Sequence, residues 1–247
     1  MITSSQACET CGGTGLYIAH CPTLPDIHNT VLTCSCEAGL ALKQQRVATL
    51  RALSDLPLRL TTYTFDSYRQ LALSQEQARA ALVCEAYSQQ GKLILKSGIE
   101  KYGMFLTGNV GTGKSGLAAA VANVAMQAGI PVLYRTVPDL LDYIRSTFNP
   151  ASTEQYGDVF DRVKRADLLV LDDLGTESPT AWVTEKLYQI VDFRYRHTMR
   201  LIVTSNYTLP ELIEHFERAG DAMGRRIVDR IMEMCAVVNV SGNNLRG

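Results

Sequence analysis

The apolar positions of this chain change their period several times. Leu40, Ala41, Val47, Leu50 and Leu53 can share one face, which predicts a helix over Glu37–Leu53. Leu56-Pro57-Leu58-Arg59-Leu60-Thr61-Thr62 interrupts that spacing and reads as a connector. The polar run Ser74-Gln75-Glu76-Gln77 then opens a helix reaching Gln89, with Ser74 as N-cap and a glutamine at N3. Beyond residue 100 the period alternates. Short apolar runs at 102–107, 132–136, 168–171 and 201–204 predict strands. Helical runs follow from Leu117 and at 138–147, 154–165 and 184–197. Strands separated by helices of about 10–15 residues imply an α/β fold, a parallel sheet with helices on both faces. No internal repeat or low-complexity tract is visible.

The first strand and helix enclose Gly108-Asn109-Val110-Gly111-Thr112-Gly113-Lys114-Ser115, with Gly116 next. The stretch fits G-x-x-x-x-G-K-[ST], which a chain of this length would show by accident on the order of one time in a hundred. Strand, glycine loop and helix form a phosphate-binding loop. Glycines let backbone N–H groups approach phosphate oxygens, and the helix start adds unpaired donors. Lys114 can reach the β- and γ-phosphates of ATP, and the Ser115 hydroxyl can ligate Mg²⁺.

A second motif stands where the first requires it. Leu168-Leu169-Val170-Leu171-Asp172-Asp173 ends a buried strand in two acids, about 57 residues on. Asp172 reads as the direct or water-mediated Mg²⁺ ligand. Asp173, pointing the other way along the strand, reads as the group that polarises the attacking water. Leu201–Ser205 delivers Asn206 similarly, within reach of a γ-phosphate or that water. Arg226 and Arg230, four apart on one helix face, can reach phosphates bound by a neighbouring copy. Arg194, Tyr195, Arg196, His197 and Arg200 form a basic stretch that reads as a solvated helix terminus rather than a nucleic-acid site.

The 247 residues suffice for one large domain or a domain plus a small module, and a net charge of −1 gives no overall field favouring DNA. No apolar run approaches a membrane span and no secretory signal opens the chain, so a cytoplasmic protein with no membrane partner is expected. Five cysteines lie in the first 36 residues, while Cys84 and Cys235 stand alone on apolar stretches and read as buried. In a reducing compartment such a cluster indicates metal. Cys8 and Cys11 form a C-x-x-C knuckle followed by glycines, and Cys34 and Cys36 supply a second pair. Four thiolates suit tetrahedral Zn²⁺. Cys21, His20 and His28 are alternatives for one ligand.

The ordered set resembles the AAA+ helicase loaders of the DnaC/DnaI group and their cousins, the IstB-type transposition ATPases. It comprises the loop at 108–115, the acids at 172–173, the strand ending Thr204-Ser205-Asn206, Gly224-Arg225-Arg226-Ile227-Val228-Asp229-Arg230-Ile231 and a terminal Gly242-x-x-x-Arg246. Leu56-Pro57 and Tyr63-Thr64-Phe65-Asp66-Ser67-Tyr68 resemble the segment preceding the ATPase core there, so the likeness spans roughly residues 56–247. The resemblance implies an AAA+ domain over residues 61–247 with a reduced lid, and a zinc-binding, helicase-contacting module over 1–60. It implies ATP/ADP, Mg²⁺ and Zn²⁺ as cofactors, sensor roles for Asn206 and Arg246, and a trans-acting arginine finger at Arg230, with Arg226 its alternative or partner. Asn244 stands where the family often has serine. Asp173 stands where most AAA+ proteins carry glutamate, which implies slow hydrolysis. The implied partners are a DnaB-type hexameric replicative helicase, single-stranded DNA and further copies of the chain meeting at the ATP site. The alternative is an IstB-type ATPase regulating a DNA transposase. A third is an adaptor that binds ATP and scarcely hydrolyses it.

Overall fold

The computed structural model describes residues 8–19, 30–150, 152–218 and 223–246. The chain divides into two compact units, Met1–Leu50 and Arg51–Gly247.

In the first unit, β1 (Leu16–Ala19) and β2 (Thr30–Thr33) pair antiparallel, and α1 (Glu37–Leu53) follows. The start of α1 lies against the second cysteine pair. A Cβ added at Gly39 would fall 1.9 Å from the Cys34 carbonyl oxygen, so only glycine allows this approach. The unit boundary falls within α1, whereas the sequence reading divides the chain after residue 60. The intervening stretch has partners in the second unit: Ser54 accepts from the Tyr134 backbone N–H at 2.8 Å, and Asp55 pairs with Arg135 at 2.7 Å.

The second unit opens with α2 (Phe65–Arg69), α3 (Gln75–Gln90) and a short hairpin of β3 (Leu93–Ile94) and β4 (Glu100–Lys101). The expected capping box at α3 is present, with Gln77 N–H on Ser74 Oγ at 3.2 Å and Ser74 N–H on Gln77 Oε1 at 2.8 Å. Then come β5 (Gly103–Thr107), α4 (Lys114–Gln127), β6 (Val132–Thr136), α5 (Val137–Ser146) and α6 (Tyr156–Arg165). After them run β7 (Leu168–Leu174), α7 (Ala181–Arg196), β8 (Arg200–Ser205), α8 (Leu209–Glu217), α9 (Met223–Met234) and β9 (Cys235–Asn239).

β6-β7-β8-β5-β9 form a five-stranded parallel sheet in that order. Both faces are covered, which is why β5 and β8 read as unbroken apolar runs. Met104, Phe105, Leu106, Leu201, Ile202 and Val203 are all inaccessible to solvent. α4 is buried along most of its length because, leaving β5, it lies across β8, β7 and β6. Cys84 and Cys235 are buried as expected, and burial pushes both thiols up to about 12.

β7 differs from expectation. It runs on to Leu174, and its pairing with β8 slips between Leu171 and Leu174. Asp173 sits at this bulge with φ of 60°. The two acids therefore do not alternate simply across a flat strand; the bulge re-aims Asp173.

Candidate nucleotide site and cysteine cluster

The loop between β5 and α4 turns on glycines with positive φ. Gly111 and Gly113 have φ of 84° and 95°, and a Cβ at Gly111 would lie 2.3 Å from Asn244 Oδ1. Lys114, the first residue of α4, is buried. Its ammonium donates to Gly108 O at 2.7 Å and to Asn109 O and Asn206 Oδ1 at 2.8 Å each, so all three protons are used. Burial lowers its pKa, against the opposing pull of Asp173 and Asp172. Lys114 and Asn206, 92 residues apart, are thus joined directly.

The acids occupy different depths. Asp172 is 4% exposed and held at both oxygens: Thr204 Oγ1 donates to Oδ1 at 2.5 Å and Tyr134 Oη to Oδ2 at 2.9 Å. Thr204 Oγ1 also accepts the Asp173 N–H at 2.9 Å, so one hydroxyl fixes both acids. Asp173 faces the cavity. Burial, then the neighbouring Asp172 charge, raises its pKa. Tyr134 and Thr204 were not singled out from sequence. Tyr134 stands in no motif and Thr204 only within the strand ending at Asn206, because each acts on the acids from a neighbouring strand of the sheet.

Lys114, Ser115, Asp173, Asn206 and Arg246 line one cavity of about 470 Å³ together with Val110, Gly111, Gly113 and Gly116. Its other walls come from Arg59, Leu60, Tyr63, Tyr68, Leu71 and Leu245. Tyr63 and Tyr68 belong to the segment before the core whose likeness was the available sign. The tail after β9 returns over the loop, where Leu245 N–H meets Gly111 O at 2.8 Å. The cavity lies within the range of small-ligand pockets. Its donor set, an ammonium beside glycine-loop amides with carboxylates behind, suits a nucleotide polyphosphate with Mg²⁺. Ser115 and Asp172 would hold the ion.

Arg226 and Arg230 do not line this cavity. They border a separate groove on α7 and α9 with Tyr188, Asp229 and Glu233. Arg230 pairs with Asp192 at 3.3 Å and Glu233 at 3.5 Å, and its guanidinium lies 4.4 Å from the centre of the Tyr195 ring. Asp192, on α7, lies too far away in sequence for spacing along α9 to expose it. Arg194, expected in a solvated terminus, is instead inaccessible; it donates to Lys164 O at 2.9 Å and to Arg200 O. Arg196 pairs with Asp192 at 2.8 Å, and His197 lies on Phe193 with ring centres 4.3 Å apart. The stretch knits α7 to its surroundings.

A different surface combines aromatics and cations. Phe148 stacks on Tyr156 at 5.1 Å, Tyr156 on Phe160 at 5.3 Å, and Trp182 meets Phe148 edge-on at 6.3 Å. Arg145 lies 4.8 Å over Trp182 and Lys186 5.5 Å over Tyr156. Phe148 is 52% exposed. Three separate segments assemble this face, so no run of residues reveals it.

In the first unit, Cys8, Cys11, Cys34 and Cys36 bring their sulfurs within 4.8 Å of one another. Cys8 and Cys34 are 3.7 Å apart, Cys11 and Cys36 3.5 Å. A tetrahedron with zinc–sulfur arms of about 2.3 Å has edges of about 3.8 Å. The Gly15 N–H points at Cys11 Sγ at 3.3 Å, the approach expected of the glycines after the knuckle. Backbone N–H groups of Thr10 and Cys11 draw Cys8 down to about 6. The Cys36 N–H also lowers Cys34, but burial and the three neighbouring thiols outweigh it and push Cys34 up to about 11. The donor set fits zinc. The alternatives Cys21, His20 and His28 lie outside the described residues. Among the described residues no helix is long and apolar enough to cross a membrane.

The crystal structure of DnaI superposes with a TM-score of 0.64 at 23% identity, covering 80% of this chain and 99% of that one. The DnaC helicase loader superposes at 0.60 and 23%, covering 74% and 99%. Fold and cavity together define the class, a P-loop nucleotide-binding protein with an AAA+-type fold. Within that class the chain belongs to the IstB-like ATP binding protein family, whose profile matches residues 43–247. It is 27% identical over 150 residues to the replicative helicase loader DnaI of Bacillus subtilis, covering 58% of this chain and 47% of that protein. It is 29% identical over 125 residues to the loader DnaC of Escherichia coli K12, covering 51% and 48%. The chain thus spans about half the length of either loader. Over 212 residues it is 27% identical to the ATP-binding protein of insertion sequence IS5376 from Geobacillus stearothermophilus, covering 85% and 77%.

Proposed function

We propose that this chain is an ATP-dependent loader that delivers a hexameric, DnaB-type replicative helicase onto single-stranded DNA. The observation that carries this reading is the four-cysteine cluster standing ahead of an AAA+ fold. A metal-stapled module over about residues 1–60 grips the helicase, and the ATPase domain over 61–247 supplies the switch. Loop amides of Gly108–Ser115 and Gly116 take the phosphates, and Lys114 exchanges its carbonyl acceptors for phosphate oxygens. Mg²⁺, when bound, screens phosphate charge. Asp172 and Ser115 hold that ion, while Asn206 and Asp173 orient the water. Water attacks the γ-phosphorus, the bond to the bridging oxygen breaks, and ADP and phosphate leave. Arg246 senses the nucleotide in its own subunit. Arg230, with Arg226, completes the site of a neighbour, and to do so it exchanges Asp192 and Glu233 for phosphate. The Phe148–Tyr156–Trp182 face gives single-stranded DNA a stacking platform flanked by cations.

A second reading is an IstB-type ATPase that regulates a transposase. It is favoured by the longer match to the insertion-sequence protein.

The test uses the full chain. Tagged protein is mixed with a DnaB-type hexamer, or with a transposase of the insertion-sequence class, with ATP present. Steady-state ATP turnover is measured with and without single-stranded DNA. The loader reading expects retention of the helicase, loss of that retention in Cys11→Ser, and no turnover in Lys114→Ala. It expects roughly tenfold weaker single-strand binding in Phe148→Ala, the scale of one stacked base. Retention of the transposase alone would establish the second reading instead.

A further inference from the structure

The glutamine that closes the capping box of α3 does more than the cap requires. A capping box uses only the acceptor of its N3 side chain, and in Gln77 that acceptor, Oε1, takes the Ser74 N–H at 2.8 Å. The same oxygen also takes the Asn243 N–H at 3.2 Å. The amide nitrogen is left over, and both its protons are used at long sequence range. Nε2 donates to Thr112 O at 3.0 Å, 35 residues away, and to Asn243 O at 2.8 Å, 166 residues away. Gln77 is inaccessible to solvent, so these bonds have no competition from water.

Thr112 O receives a second donor, the Tyr68 hydroxyl, at 3.2 Å. A trans peptide points its C=O and the next N–H in opposite directions. Pinning Thr112 O on the α2–α3 side therefore turns the Gly113 N–H the other way, and Gly113 lines the nucleotide cavity. The tail is tied into the same knot. Ser74 Oγ donates to Ser241 O at 2.9 Å, and a Cβ at Gly242 would lie 2.2 Å from that hydroxyl and 2.7 Å from Gln77 Oε1. Close approach of the tail thus needs glycine there.

We infer that Gln77 is a positioning residue for nucleotide binding, aiming the Gly113 N–H at a phosphate and seating the tail that carries Leu245 and Arg246. This rests on the cavity's being the phosphate site, and Lys114→Ala tests that separately. Gln77→Glu separates the roles, because glutamate keeps the capping acceptor and lacks both donors. Tyr68→Phe removes the other donor to Thr112 O and leaves cap and tail untouched.

Equilibrium binding of fluorescently labelled ADP and of adenosine is measured for each variant, with the thermal midpoint of unliganded protein alongside. Gln77→Glu is expected to weaken ADP about tenfold or more and Tyr68→Phe about threefold, the scale of one or two lost hydrogen bonds. Adenosine, which has no phosphate, is expected to change little in either. In the double variant the loss should fall short of the product of the singles, since both act on one carbonyl. ADP affinity at the wild-type level in Tyr68→Phe and in folded Gln77→Glu would overturn the inference. If Gln77→Glu does not fold, Tyr68→Phe decides alone. Equal losses for ADP and adenosine would also overturn it, since they would mark a general loss of structure. Unchanged ADP binding in Lys114→Ala would instead remove the site reading beneath it.

Discussion

The nucleotide cavity and the cysteine cluster both gather charge that water cannot fully solvate, and they do so in opposite ways. In the cavity the two buried charges, Lys114 and Asp172, have protein partners. Lys114 has three oxygen acceptors, and Asp172 has a hydroxyl on each oxygen. Most of these partners come from the sheet and the loop at its end, so the site is a product of the fold. In the cluster the thiols chiefly face one another, and the N–H donors around them serve thiolate rather than thiol. Four thiolates within 4.8 Å repel unless a cation sits among them. The first site is made by its domain; the second, if it holds a metal, makes its domain, in a segment too short for a core of its own.

That contrast is sharpest under chelation, where the largest effect is expected. If the cluster holds zinc, removing the metal from the full chain should unfold the region around β1, β2 and the start of α1 and leave the five-stranded sheet intact. The scale is large, since structural zinc contributes roughly 10–16 kcal/mol in small metal-folded peptides. Hydrogen exchange reads both regions at once: amides near Leu16 and Val31 lose protection, while those of Met104 and Val170 keep it. Cys11→Ser should do the same without a chelator. Protection that persists around Leu16 in metal-free protein would break the comparison.

The cavity's domain has one buried acid outside this scheme. Glu177, on the loop after β7, is 7% exposed; its Oε2 accepts the Gly175 N–H at 2.8 Å and its Oε1 has no partner among the described residues. Burial pushes its carboxyl from 4.5 up to about 7. The folded protein therefore keeps this proton to about pH 7, while the unfolded chain releases it near 4.5. Unfolding releases the proton between those values, so the stabilising contribution is full below about 4.5 and is lost as pH rises through about 7. Glu177→Gln removes the titration and keeps an acceptor for Gly175. It should match wild type near pH 4.5 and exceed it at pH 8 by on the order of 3 kcal/mol. Thermal midpoints across that range give the answer. A variant that tracks wild type at every pH would show that Glu177 ionises freely.

What the sequence disclosed follows the same division between local and distant partners. The glycine loop, the acid-ended strand and the capping box were legible because each is written within eight residues or fewer. The cysteine pairs were legible because metal spacing is a local code. The bulge at Asp173 was not, since it arises from register with β8. Tyr134, Thr204 and Asp192 were missed because each meets its partner only when strands or helices lie side by side. Arg194 was misjudged because its partners are backbone carbonyls at Lys164 and Arg200, which leave no mark in residue type. The aromatic face failed for a related reason: Phe148, Tyr156 and Trp182 come from separate segments.

Tyr134 offers the smallest and most specific test of a site made by its fold. Its hydroxyl is buried, donates to Asp172 Oδ2 at 2.9 Å and lies 3.4 Å from Ser115 O. Burial, then the Asp172 charge, raises its pKa, so it stays a donor throughout the working range. Tyr134→Phe keeps the ring and its packing and deletes one donor to a carboxylate. Such a bond is worth about 1.5–3 kcal/mol, and Thr204 still holds the other oxygen. If Asp172 and Ser115 together hold Mg²⁺, freeing one carboxylate oxygen should loosen the ion more than the nucleotide. ADP affinity without Mg²⁺ should stay within about twofold, while the Mg²⁺ concentration for half-maximal tightening of ADP should rise about tenfold. An equal loss with and without Mg²⁺ would mean that Tyr134 supports the loop rather than the acid. The partners of the buried acid would then matter to the fold alone, and the distinction between the two sites would narrow to the thiols.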